Sequence, residues 1–177
     1  QFQFLNSGNS IFIGQQAGEN DDLTNNQNIF IGNQTGQFNA SGFSNVAVGY
    51  HSMQSNTNGF YNSSLGFQSL LNNTAGTSNT AIGSNSLFSN TIGVSNTAIG
   101  SNALELNTIG SSNTAVGVES LKENNLGESN TAIGFSALMK NISGNQNTGV
   151  GSSSLLNNIS GIFNTAIGNT ALLSNKD

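Results

Sequence analysis

Glycine returns in this chain at a fixed interval. It stands at 32, 49, 66, 83, 100, 117, 134, 151 and 168, and a second series in the same period stands at 42, 59, 76, 93, 110, 127, 144 and 161. Asparagine keeps two registers of its own, at 28, 45, 62, 79, 96, 113, 130, 147 and 164, and at 39, 56, 73, 90, 107, 124, 141, 158 and 175. Four positions held in phase over eight or nine copies describe one short unit repeated, the signature of a stacked architecture. The best-formed units read N-T-A-I-G-x-x-A-L-x-x-N-x-x-G-x-S, as at 96–112.

A unit of this length is too short for a two-helix repeat, and each one is broken by two glycines and an asparagine. The T-A-I step alternates like a strand, with Thr97 and Ile99 on one side and Ala98 on the other. Glycine after the strand and glycine ten positions later are expected to turn the chain through positive φ. The pattern predicts an all-β fold, a parallel β-roll or β-solenoid of about nine 17-residue coils. At roughly 4.8 Å per coil the rod would be about 45 Å long.

One division falls near the start. Residues 1–43 read as atypical N-terminal coils, a cap or junction, and 44–177 as the regular repeats. The first two units carry Ile-Phe-Ile-Gly at 11–14 and 29–32, with Gly18 and Gly36 where later units have leucine. Gly14 precedes Gly32 by one position more than the period, which predicts a one-residue insertion within 19–25.

Columns follow from the stacking. Ile31, Val48, Leu65, Ile82, Ile99, Val116, Ile133, Val150 and Ile167 form one expected inward column. Met53, Leu70, Leu87, Leu104, Leu121, Leu138, Leu155 and Leu172 form the second. The asparagines are expected to stack as amide ladders, each bonding the copies above and below. Ala47, Ala81, Ala98, Ala115, Ala132 and Ala166, with Ser64 and Gly149, face away from the isoleucines. A column so uniformly small suggests that another surface approaches closely, so these alanines are the expected interface of a homotrimer.

Composition narrows function mainly by exclusion. Charged residues are only 6% of the chain, and the three basic ones, Lys122, Lys140 and Lys176, cannot track a phosphate backbone or an anionic membrane. No stretch approaches the roughly 20 apolar residues of a membrane span. No signal peptide opens the sequence, as expected of a mature or excised piece. His51, the single histidine, stands at a position filled by Gln68, Asn85 and Asn102 in neighbouring coils and reads as a surface variant rather than a general base, and without cysteine there is no thiolate nucleophile. Glu105, Glu119, Glu123 and Glu128 occupy different repeat positions and form no acid/base column. Glu19, Asp21 and Asp22 are a local carboxylate cluster of the kind Ca²⁺ favours. Their spacing completes no known loop, and a solvated insertion is the plainer reading. Neither enzymatic activity nor a cofactor or metal is expected.

Aromatic residues gather in the N-terminal third, at Phe38, Phe43, Tyr50, Phe60, Tyr61 and Phe67. Phe43 and Phe60 are one period apart, as are Tyr50 and Phe67, so each pair should stack on adjacent coils. Lateral packing explains such stacks. A sugar platform would use the same ring faces with neighbouring amides, and its candidate glycan contacts are Tyr50, His51, Tyr61, Phe67 and Gln68.

The N-T-A-I-G strand, followed by a small residue and leucine, resembles the head repeats of trimeric autotransporter adhesins. It is still more similar to the N-T-A-I-G-x-x-A-L-x-x-N-x-x-G arrays of bacteriophage tail fibres and bacteroidete surface proteins. The resemblance covers 27–175. It implies a left-handed parallel β-roll, three chains per fibre, an extracellular place on a virion or cell surface, and a role in reaching or binding a host surface. Autotransporter head repeats are usually shorter than the present unit, so the coil shape need not carry over. The competing function is ice binding, suggested by the threonine column Thr80, Thr97, Thr114, Thr131, Thr148 and Thr165. Against it, alternation puts those threonines on the side of the isoleucines expected to be buried. A third reading is a purely architectural filament with no ligand.

Overall fold

The computed structural model describes residues 2–5, 8–24 and 26–175. Lys176 lies outside them. Each coil extends only over its T-A-I segment, because the following glycine swings to a φ near +135°. The strands are therefore short: β1 (Phe2–Leu5), β2 (Ser10–Ile13), β3 (Ile29–Ile31), β4 (Val46–Val48), β5 (Ser63–Leu65), β6 (Thr80–Ile82), β7 (Thr97–Ile99), β8 (Thr114–Val116), β9 (Thr131–Ile133), β10 (Thr148–Val150) and β11 (Thr165–Ile167). They form one sheet in chain order. From β2 to β11 all pairs are parallel and equivalent residues face one another, as Ala98 faces Ala115, while β1 closes the N-terminal edge antiparallel to β2. The fold is all-β, a β-solenoid of about nine turns, each the length of one sequence repeat, as the period predicts. The step from β2 to β3 is one residue longer than the others and pairs Ile11 with Ile29.

The two sides of the strand are the reverse of the expectation. The column Ile82, Ile99 and Ile133 faces outward, with Ile99 38% exposed, and the Ala47, Ala81, Ala98, Ala115, Ala132 and Ala166 column lies inside the coil, fully buried at Ala98. These alanines cannot be a surface met by another chain. The close approach that their small size signals is made by the opposite wall of the same coil. From that wall Leu70, Leu87, Leu104, Leu121, Leu138 and Leu155 point inward and are completely buried. The lumen holds one large side chain per coil, so when leucine comes from one wall the strand can supply only alanine. Interiors pack at near-crystalline density, which leaves no room for an isoleucine as well.

The first two coils solve the same problem in mirror image. Phe12 and Phe30 occupy the alanine position, are buried, and stack at 5.4 Å. The opposite wall then carries Gly18 and Gly36, where a Cβ would run into the Phe12 and Phe30 rings. Met53 begins the regular pattern opposite Ala47. The leucine wall has a backbone consequence that the period did not reveal. Leu104 sits at φ 51°, and two more non-glycine residues of its coil, Asn102 and Ser112, are also left-handed. Such conformations are costly for side chains with a Cβ and persist only where the surroundings enforce them.

Enforcement comes from the asparagines, which stack as expected. In one ladder the Asn113 backbone N–H donates to Asn96 Oδ1 at 3.0 Å. In the other, Asn124 Nδ2 donates to Asn107 Oδ1 at 2.8 Å. The two ladders meet at a glycine carbonyl: Gly127 O accepts from Asn113 Nδ2 at 2.8 Å and from Asn124 Nδ2 at 3.0 Å. This corrects the role given to the second glycine series. Those glycines are absent from the positive-φ residues, whereas Gly100 and its equivalents are present. A Cβ on Gly127 would instead overlap Asn124 Oδ1 and the Gly144 carbonyl of the next coil. Space, not φ, requires glycine there.

At the N-terminal end the ladders need an acceptor, and Asp21 provides it. Its Oδ2 accepts from Asn28 Nδ2 and Asn39 Nδ2, each at 2.9 Å, and its Oδ1 from the Leu23 backbone N–H and Asn26 Nδ2. Asp21 is buried and takes the rung below Asn39, so it is a structural cap and no part of a solvated loop. Replacing it by Asn should lower stability by about 1–3 kcal/mol, because an amide N–H₂ would then face groups that also donate. Chemical denaturation of the D21N chain checks this.

A lumen with room for one large side chain couples its opposite walls strongly. Ala98→Phe alone overfills the coil, and Leu104→Gly alone leaves a cavity worth about 2–5 kcal/mol. Together they reproduce the Phe30/Gly36 pair at nearly constant volume, and the double variant should be more stable than either single one. A thermodynamic cycle from urea midpoints measures it.

Candidate functional site: the outward strand face and its aromatic flank

With the alanines inside, the outward face of the sheet carries two columns. Thr80, Thr97, Thr114, Thr131, Thr148 and Thr165 form one, extended toward the N-terminus by Ser63 and Val46. The other runs Ile31, Val48, Leu65, Ile82, Ile99, Val116, Ile133, Val150 and Ile167, each residue exposed or half-buried. Parallel in-register pairing holds the columns straight along the rod. The columns contain no charged residue. Ile92, Ile109 and Leu126 add a further exposed apolar stripe at the corner before the second glycine.

The aromatic residues flank this face in two stacks, and the five candidate glycan contacts divide between them. Tyr50 stacks on Phe67 of the next coil at 5.6 Å and on His51 at 3.8 Å. These three rings, with Gln68, lie at the corner just after the strand. Tyr61 lies elsewhere, at the corner before the strand, edge-on to Phe43 and Phe60, which stack on each other at 4.7 Å. Both stacks end in the coil of β5. Their next positions are Thr77 after Phe60 and Ser84 after Phe67.

Polar side chains beside the Tyr50–Phe67 stack break ranks. The column two positions after the first glycine is bonded at its start, Gln34 Nε2 to Gln16 Oε1 at 2.8 Å, and again at Asn85 Nδ2 to Asn102 Oδ1 at 3.4 Å. Between them, His51 Nε2 and Asn85 Oδ1 are shielded from solvent without a hydrogen-bond partner. Sequence reasoning named His51 and Gln68 but missed Asn85. The signal was available, since Asn85 continues the same column one coil beyond Gln68.

Glu105 and Glu119, from different repeat positions, converge on one cation: Lys122 Nζ lies 3.5 Å from Glu105 and 3.2 Å from Glu119. The Glu119 hydrogen bond, with both negative charges, holds the lysine above its ordinary range. Asp22 is held below the usual carboxylate range, chiefly by the Thr24 backbone N–H and then by the Thr24 hydroxyl and Asn26 amide. Its contribution is present above the unfolded carboxylate pKa and is lost as pH falls through the lowered value. Glu19 bonds Gln37 instead of joining the two aspartates. Among the described residues no three His, Cys, Asp or Glu side chains come together as a metal site, and no helix is long and apolar enough to cross a membrane.

Comparison with known proteins returned no matching family model, no matching curated protein and no matching solved structure.

The outward placement of the isoleucines has a direct test. Ile99→Ser should change the unfolding free energy of the single chain by less than about 1 kcal/mol, as expected of an exposed position. Leu104→Ala should cost about 2–5 kcal/mol. Urea denaturation of the two variants, measured under conditions where the chain is monomeric, distinguishes outward from inward.

Proposed function

We propose that this chain is a non-catalytic structural and adhesive segment of a trimeric extracellular fibre, on a virion or a cell surface, that mediates surface attachment. Three copies pack through the outward Thr/Ile face. One observation carries the reading: an uncharged column of Ile, Val and Leu side chains runs along the rod, and among the described residues each of them is left exposed or half-buried. Contiguous exposed apolar surface on this scale marks an interaction site. A partner built the same way offers the same column at the same spacing, so a second and third copy match it coil for coil. The resemblance of the N-T-A-I-G units to fibre repeats supports three chains and an extracellular place.

The threonine column favours one competing reading. Thr97 and its equivalents share the outward face with Ile99, which removes the objection that they lie inside. A flat, regularly spaced Thr/Ile surface on a solitary chain is what an ice-binding solenoid would display.

Light scattering separates the two. The fibre reading expects three times the 18.2 kDa chain mass. Ile82→Glu, Ile99→Glu and Ile133→Glu introduced together should yield a monomer with an unchanged circular-dichroism spectrum. A wild-type monomer that depresses the freezing point by thermal hysteresis would transfer the proposal to ice binding. A wild-type monomer without it would sink both.

A further inference from the structure

The aromatic stack beside the strand stops after two rings, and the small residues at its next rung define a binding ledge. Tyr50 and Phe67 occupy equivalent positions in adjacent coils with their rings nearly parallel, 5° apart. The register is fixed by the backbone: Gln68 N–H donates to Tyr50 O and Asn85 N–H donates to Phe67 O, both at 2.9 Å. The position after Phe67 is thus Ser84, then Ser101, both small. The Phe67 face turned away from Tyr50 has no ring above it, and Phe67 is 48% exposed. One coil repeat, roughly 4.8 Å, is the thickness available there. A flat six-membered ring fits that slot as the third member of the stack.

The rim of the ledge is made of amides. Gln68 stands beside Phe67, and Asn85 stands beside Ser84 with its Oδ1 sheltered and unpartnered. His51 Nε2, next to Tyr50, is likewise unpartnered. Both atoms are shielded from solvent, so the polar groups of the rim that a ligand can reach are the half-buried Gln68 amide and Ser84 hydroxyl. Hydroxyls suit them, since a hydroxyl both donates and accepts. Charge narrows the class further. No lysine or arginine occurs before Lys122, so an anionic sugar would find no cation at this end of the rod.

We infer that Phe67, Gln68, Ser84 and Asn85, backed by Tyr50 and His51, form a binding site for a neutral pyranose of a glycan. The ring's C–H face stacks on Phe67, and its hydroxyls pair with the Gln68 amide and the Ser84 hydroxyl. Tyr61 takes no part. The site lies within one chain, so it stands apart from the fibre reading and from whichever oligomer forms.

The test uses the full chain, with amide NMR shifts followed during titration with methyl glycosides of glucose, galactose, mannose and N-acetylglucosamine, and with the methyl glycoside of sialic acid as the anionic arm. At least one neutral glycoside should perturb the Phe67, Gln68, Ser84 and Asn85 amides. Tyr50→Ser with Phe67→Ser should weaken that binding by about tenfold or more, the scale of a lost aromatic stacking partner. Serine already fills this register at Ser84, Ser101 and Ser152, so the double variant keeps the fold, and circular dichroism verifies it. The inference is overturned if no neutral glycoside perturbs those amides, if the double variant binds as wild type does, or if the sialoside binds more tightly than every neutral sugar. Light scattering on the same samples reports the oligomeric state separately, so either conclusion can fail alone.

Discussion

Everything in this solenoid hangs on a carbonyl that accepts two side-chain amides. In each regular coil the second glycine's oxygen takes one hydrogen bond from each asparagine ladder, as Gly127 does from Asn113 and Asn124. The arrangement ties opposite walls of the lumen together through polar groups that are completely buried. Buried amides stabilise only when fully paired, and partial pairing is worse than none. Repetition satisfies that condition, because the coil before always offers the oxygen that the coil after requires. The same bracing keeps Leu104 and its equivalents in a left-handed conformation that an unbraced chain would abandon.

The lumen so fixed is narrow, and its width decides which residues face the solvent. Alanine from the strand and leucine from the far wall fill it, or phenylalanine and glycine in the first two coils. Large β-branched residues, well suited to the pleated surface of a strand, are left with the outside. The interaction surface proposed above is therefore a by-product of interior packing. A wider coil would have swallowed the isoleucines and left no apolar stripe.

How much of this was legible in the sequence depends on what periodicity can encode. The 17-residue step revealed the solenoid, the parallel register, the stacked asparagines and the pairing of Tyr50 with Phe67, since all follow from like residues returning to like places. Alternation placed Thr97 and Ile99 together and Ala98 opposite, but it has no sign. Which side is inside depends on what the other wall contributes, and that required knowing where Leu104 points. Asp21 was hidden for another reason. The lengthened step from Gly14 to Gly32 also separates Asp21 from Asn39, so a carboxylate stood in an asparagine's place, one residue out of phase. The ledge at Ser84 was marked by a missing aromatic ring, and a search for conspicuous residues passes over small ones.

The amide ladders also give the rod an arrow. Along both, each asparagine donates toward the N-terminal neighbour, and the series ends on Asp21. A coil inserted backwards would set oxygen against oxygen, and a fragment of a coil would leave the next asparagine reaching for nothing. Descendants of such a gene can therefore lengthen or shorten the rod only in whole turns placed beyond the acidic cap. Its length is quantised, and an evolving population adjusts it by duplication and deletion instead of by gradual change.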